Sequence, residues 1–378
     1  MTTEYRPATY ANILDQMLAR GLTPGHGGHL EGTEADVSRA LARLQASCFS
    51  FSAAEVAQNL GMDKAQPIVR DAVRGIGRYR GNEMRLEVER RGLPLDVAHM
   101  LDYWDYSGGS GVVGTDFHRS PHYCSHDVLG CSYADQLRRL CPKPLAVLMC
   151  EEVHLAVARE FNPAIDVWYP AILTRGQAKC IFRFSMPMEA AERAAVKAQE
   201  RSDAARDAGH PLQGEREAVE TDAAAAYRGL ARLHVIFYHH VANELLRALG
   251  EDQTEDILRR AMRKWGAWRG EVMAADHRKR GWALNLETFI TYSDDPAAGD
   301  AWVAENVILT PSEHTKDVSL SPYSTWLDKL GTGRFALALF EEALPAQAQA
   351  YSPAISLTIP ELMERGDSVS RFCYKMGS

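Results

Sequence analysis

The sequence predicts an α+β fold made of two tandem homologous domains, and three observations predict it. The first is an internal repeat. Between Cys131 and Met186 the chain reads CSYADQLRRL, LAVLMCEEVHLAVAREFNPAIDVW and YPAILTRGQAKCIFRFSM; about 190 residues later it reads SPYSTWLDKL, FALALFEEALPAQAQAYSPAISLT and IPELMERGDSVSRFCYKM. Asp127, Tyr133, Glu151, Glu152, Arg175, Gly176 and Phe182 return as Asp317, Tyr323, Glu341, Glu342, Arg365, Gly366 and Phe372. A repeat of this length marks a duplicated structural unit. The second observation is a repeated pair of long helical patterns. LARLQASCFSFSAAEVAQNLG matches LARLHVIFYHHVANELLRALG, and DKAQPIVRDAVRGIGRYRG matches DQTEDILRRAMRKWGAWRG. The third is an alternating segment, Cys180, Phe182, Phe184 and Met186 on one face against Ile181, Arg183 and Ser185 on the other, which is the period of a strand.

These observations divide the chain into an N-terminal arm (1–36), a first domain (37–187), a charged helical linker (188–221) and a second domain (222–378). Each domain is expected to carry a helical N-terminal part followed by a helix and a β-hairpin or sheet unit, the two related by a pseudo-twofold axis. The arm holds a short helix near Tyr10 to Arg20 and the Gly-rich segment GLTPGHGGHLEGT, which lacks the phosphate-loop arrangement. The first long helices end at Gly61 and Gly250, the usual helix stop. The next pair contains Gly77, Gly81, Gly266 and Gly270 inside a helical pattern. Each such glycine costs about 1 kcal/mol against alanine, so close helix packing or a break is expected there. Irregular segments follow, DVAHMLDYWDYSGGSGVVGTDFHRSPHYCSHDV and NLETFITYSDDPAAGDAWVAENVILTPSEHTKDV, in part strand. Ser321-Pro322 is a helix start with Ser at N-cap and Pro at N1, and Cys131 occupies the same cap position in the first copy. A second helix is expected over Leu145 to Phe161, with a strand-turn-strand through Arg175-Gly176. Residues 189–227 are rich in Ala, Glu, Lys and Arg and read as a connector.

The net charge of −8 over 378 residues gives no support to a nucleic-acid role. Seven cysteines, an odd number without a CxxC pair, fit a reduced cytoplasmic protein. No apolar signal segment and no run long enough to span a membrane occurs in the sequence. A small-molecule substrate is therefore the expected partner, with no nucleic acid, no membrane, and room for a homodimer.

The two copies differ in their chemistry. Cys131, Cys150, His154 and Cys180 face Ser321, Phe340, Leu344 and Ser370. Either the first copy holds a site and the second only the fold, or the two have drifted neutrally. Cys131 at a helix start is expected to be a reactive thiol, because the dipole and free N–H groups there favour thiolate. His154 lies one turn from Cys150 on an apolar stripe and is either a core residue or a proton shuttle. Glu151 and Glu152 occur in both copies, which favours a structural role, for example binding an arginine such as Arg80. His118, His122, Cys124, His126 and Cys131 form a loose group whose residue types suit Zn²⁺ but whose spacing matches no zinc signature, so no metal or other cofactor is expected, with zinc as the alternative.

CSYADQL, LMCEEVHLAVAREFNPAIDV and LTRGQAKCIFRFSM resemble the L-2-amino-thiazoline-4-carboxylic acid hydrolase family, in a tandem form. The family's Cys-x-Tyr helix start, its second Cys followed by an acidic residue, and its Gly-x-x-x-Cys-x-Phe hairpin fall on Cys131 and Tyr133, on Cys150 with Glu152, and on Gly176, Cys180 and Phe182. The resemblance covers about residues 40–186 and more weakly 222–376, and the second half lacks all three cysteines. It implies hydrolytic opening of a small nitrogen heterocycle (a cyclic amidine, thiazoline or hydantoin-like ring) at a C–N or C=N bond. The residues allow a Cys131 thiolate to attack, with His126 or His154 moving the proton and Asp127 or Glu152 orienting it. Tyr103, Trp104, His122, Tyr133, Cys150 and Cys180 are the expected substrate contacts. Water attack with a carboxylate base, a metal-dependent hydrolase using the His118–His126 loop, and a non-catalytic small-molecule-binding regulatory module stand as alternatives.

Overall fold

A computed structural model describes residues 7–22, 24, 33–105, 112–210, 212, 222–296 and 301–377. The expected Gly-rich loop lies almost wholly outside the described residues. The architecture is α+β: long helices packed with two antiparallel sheets.

The first half contains helices α1 (Tyr10–Leu18), α2 (Glu34–Leu60), α3 (Met62–Arg90) and α4 (Val97–Asp102), then strands β1 (Val112–Ser120) and β2 (Tyr123–Cys131). Helices α5 (Ser132–Leu140) and α6 (Lys143–Phe161), strands β3 (Asp166–Ala171) and β4 (Cys180–Ser185), and helix α7 (Met188–Asp207) follow. The second half contains α8 (Ala223–Leu249), α9 (Glu251–Lys279), α10 (Leu286–Thr291), β5 (Val303–Leu309), β6 (Glu313–Leu320), α11 (Pro322–Lys329), α12 (Leu337–Glu341), α13 (Ala343–Tyr351), β7 (Ile355–Thr358) and β8 (Ser370–Met376). The sheets have orders β1-β2-β4-β3 and β5-β6-β8-β7. His126 pairs with Phe182 in one and Lys316 with Phe372 in the other.

The sequence reading needs three corrections. The His-rich segment is not a loop: it forms the β1–β2 hairpin, turning at Pro121-His122. Its strands are hard to recognise because Gly, Ser, Asp and His replace the usual β-branched residues. The arm does not stand apart from the second half. Tyr10 Oη donates to the Tyr292 carbonyl (2.6 Å) and meets His277 Nε2 at 2.5 Å. Finally, the single helix α6 has a broken counterpart. Pro345 has no N–H to give the carbonyl four residues back, and the chain departs from helical geometry at Glu342 (φ −105°) between α12 and α13.

Glycines set the closest helix contacts. Helix α3 is unbroken, so packing rather than a break explains its glycines. A Cβ on Gly77 would stand 2.5 Å from Ala156 Cβ and 2.7 Å from the Val153 carbonyl oxygen of α6. Gly266 of α9 faces Ala343 of α13 in the same way. Gly77→Ala is therefore expected to force α3 and α6 apart and cost about 1–3 kcal/mol, read as a lower urea midpoint; an unchanged or higher midpoint would show that the helices can yield.

The halves share one hydrophobic core. Leu44, Phe49, Val73 and Leu148 lie in the same buried cluster as Tyr227, Phe237, Leu258 and Trp265. Helix α2 packs on α8 and α9, and α8 packs on α3. Two buried ion networks cross this contact. Asp294, after α10, receives Arg269 (2.7 Å), Arg43 of α2 (3.0 Å) and Gln347 (2.9 Å). Asp105, after α4, receives Arg80 (2.6 Å) and Arg232 of α8 (3.5 Å). No helix is long and apolar enough to cross a membrane among the described residues.

Candidate active site

The first-half sheet, α5, α6 and α8 enclose a pocket of about 290 Å³. Strand alternation aims His126 and Val128 of β2 and Cys180, Phe182 and Phe184 of β4 into it. Cys131 enters from the junction of β2 and α5, and Cys150 and His154 enter from α6, one turn apart. Arg80 of α3 is the one Lys or Arg among the described residues that line it. Leu233 and Phe237 of α8 form the wall contributed by the second half.

The pocket holds its imidazoles neutral. His154 Nδ1 donates to the Cys150 carbonyl (2.7 Å), which leaves Nε2 as the acceptor. Burial drives its pKa down to about 4, with the Cys150 carbonyl pulling the other way. Its ring stacks on Trp104 (centroids 5.9 Å, 11°) and lies 4.9 Å from Phe182. Burial also lowers His126, whose ring meets the edge of Phe117 and whose Nε2 occupies the space a side chain at Gly114 would need.

The thiols are neutral too, which corrects the expectation of a lowered Cys131 pKa. Burial raises the Cys131 thiol, and this outweighs the pull of the Ala134 and Tyr133 N–H groups at the helix start. Burial pushes Cys180 up to about 12 and raises Cys150 further. Tyr133 donates to Gln45 Oε1 of α2.

The remaining candidates stand elsewhere. Asp127 is on the opposite face of β2 from His126, held by Lys179 (2.6 Å) and Arg183 (3.0 Å). These partners keep its carboxyl below the usual range, and Asp317 is held by Arg371 in the same manner. Glu152 lies outside the pocket on the polar side of α6, paired with Arg70 (3.2 Å) and Arg74 (2.8 Å). Glu151 pairs with Arg175 (2.6 Å). Glu341 and Glu342 meet Arg365, Arg259 and Arg263 equivalently, so the glutamate pair fastens α6 and α13 to their neighbours. Arg80, suggested as a glutamate partner, binds Asp105 instead. Tyr103 is buried beside Arg91, away from the pocket, and His122 sits in the β1–β2 turn, its carbonyl accepting from Met186 N (3.0 Å). Among the described residues no three His, Cys, Asp or Glu side chains are grouped to hold a metal ion. Sequence reasoning missed Gln45, Leu233 and Phe237, which reach the pocket from distant helices. Arg80 had a signal that could have found it as a pocket residue, since Arg80 and Asp105 recur together as Arg269 and Asp294.

A small, largely apolar cavity with convergent thiols, neutral imidazoles and one guanidinium is the site of a small-molecule enzyme or receptor. Residues 42–184 match the model of the L-2-amino-thiazoline-4-carboxylic acid hydrolase family, and the first half of the chain belongs to it. The family is named for hydrolysis of a thiazoline carboxylic acid, a small heterocycle. No curated protein matches the chain.

Proposed function

We propose that the chain hydrolyses a small, carboxylate-bearing nitrogen heterocycle in the first-half pocket, opening the ring at a C–N or C=N bond. The observation that carries this reading is the convergence of Cys131, His126, His154 and Arg80 on one 290 Å³ cavity. Arg80 and Arg232 share the single carboxylate of Asp105. The cluster therefore leaves a net positive charge at the pocket wall, which suits a substrate carboxylate. The apolar remainder suits the ring.

The Cys131 sulfur attacks the electrophilic ring carbon. Its proton passes to the free Nε2 of a neutral imidazole, His154 being the one whose tautomer is fixed for the task. The displaced pair moves onto the ring nitrogen, which takes that proton as the C–N bond opens. Water then hydrolyses the thioester-like adduct and regenerates the thiol. The N–H groups at the start of α5 face charge developing next to Cys131. The second half, with Ser321, Phe340, Leu344 and Ser370 at the matching positions, carries the duplicated fold and supports the site.

A screen of thiazoline carboxylates, cyclic amidines and hydantoin-like rings tests this; no turnover of any such ring would leave the regulatory-module reading in place. The pH profile separates the neutral-pair mechanism from a preformed ion pair. His154 is depressed by burial, so its acceptor form persists to about pH 4. The raised thiol stays protonated through neutrality. We expect kcat/KM to be flat from about pH 6 to 8 and to fall only as pH drops toward 4. A bell centred near neutrality would count against the neutral pair.

A further inference from the structure

We propose that a second cleft, at the C-terminal end of α6, binds a soluble small molecule carrying two or more phosphate groups. The cleft lies between α3, α6 and α7 and has a volume of about 550 Å³. Arg85, Arg159, Arg193, Lys197 and Arg201 line it, against Glu160 as the only lining carboxylate among the described residues. This is a local excess of cations on a chain whose net charge is −8, and concave walls concentrate such a field.

The cations are incompletely matched. Arg85 pairs with Glu89 at 3.0 Å, and Arg193 reaches Glu189 only at 3.9 Å. Arg159 and Lys197 have no ion-pair partner among the described residues. Arg201 gives one N–H to the Leu93 carbonyl (2.9 Å), while its Nε is shut away from solvent with no hydrogen-bond partner among the described residues. A buried donor without an acceptor is costly, and an anion oxygen in the cleft supplies one. Guanidinium forks match phosphate geometry. Because the cations are spread over three helices around a space larger than one phosphate fills, more than one phosphate group is needed to engage them.

The test is isothermal titration of the full chain with pyrophosphate, inorganic phosphate and citrate at fixed ionic strength. One pyrophosphate per chain should bind at least about tenfold more tightly than inorganic phosphate or citrate. The exposed double variant Arg159→Glu/Lys197→Glu should weaken it at least about tenfold with an unchanged thermal melt. If that variant fails to fold, Arg193→Glu, also exposed, is expected to weaken pyrophosphate binding in the same direction. The proposal is overturned by absent saturable binding, by equal affinity for inorganic phosphate or citrate, or by undiminished binding in the variants, the last placing the anion elsewhere. The readout is binding alone, so it stands or falls independently of ring opening.

Discussion

Cys131→Ala is expected to lower ring opening by roughly 10³-fold or more, the scale of removing a nucleophile or its proton acceptor. Cys131→Ser should fold as the parent does, since Ser321 occupies the equivalent cap and accepts from Ser324 N (3.4 Å). It should also remain nearly inactive, because a serine hydroxyl in this pocket faces a neutral imidazole of depressed pKa, too weak a base to activate it. His154→Gln should lower kcat more than it raises KM, because the imidazole handles a proton in the transition state. A Cys131→Ser protein with full activity sinks the nucleophile and leaves activated water as the attacking group. The pair of substitutions thus separates loss of the thiol from loss of the fold.

Asp294→Ala is expected to cost about 3–5 kcal/mol, the scale set by removing one partner of a buried ion pair. Asp294 has a fully buried side chain between Arg43 and Arg269, which are 2% and 5% exposed. Arg43 already keeps one buried nitrogen, Nη2, without a hydrogen-bond partner. Removing the carboxylate leaves two guanidinium groups facing each other out of water, and the Gln347 amide loses its acceptor. The loss should be smaller for Asp105→Ala, whose partner Arg232 is 15% exposed and can be rehydrated. Urea unfolding of both variants measures the difference; a cost below about 1 kcal/mol for Asp294→Ala would falsify the claim that this network anchors the contact between α2 and α9.

Much of the fold was legible because the chain repeats itself. The paired helices, their glycine stops and the packing glycines all recur at matched positions, and tertiary packing demands them in both places. The β1–β2 hairpin was not legible, because its strands carry turn-forming residues and one face is largely exposed. The candidate site was legible where the copies differ: Cys131, Cys150, His154 and Cys180 do share a cavity, joined there by His126, Trp104 and Tyr133. Asp127 misled because neighbours on a strand face opposite ways, so adjacency to His126 in sequence meant separation in space. Glu152 misled because a helix turns it 200° or so from Cys150, toward Arg70 and Arg74. Leu233 and Phe237 could not be found from local pattern, since only the docking of α8 brings them to the cavity.

That α8 wall has a consequence for how the protein behaves on dilution. Leu233, Phe237 and Arg232 are delivered by the same polypeptide that carries Cys131. Were the two halves separate molecules, the wall would be present only when they met, and turnover per site would fall as they were diluted. Joined in one chain, the wall faces the cavity at an effective concentration on the order of millimolar or above, whatever the bulk concentration. Turnover per chain is thus set to be the same in the thinnest solution as in the most crowded one.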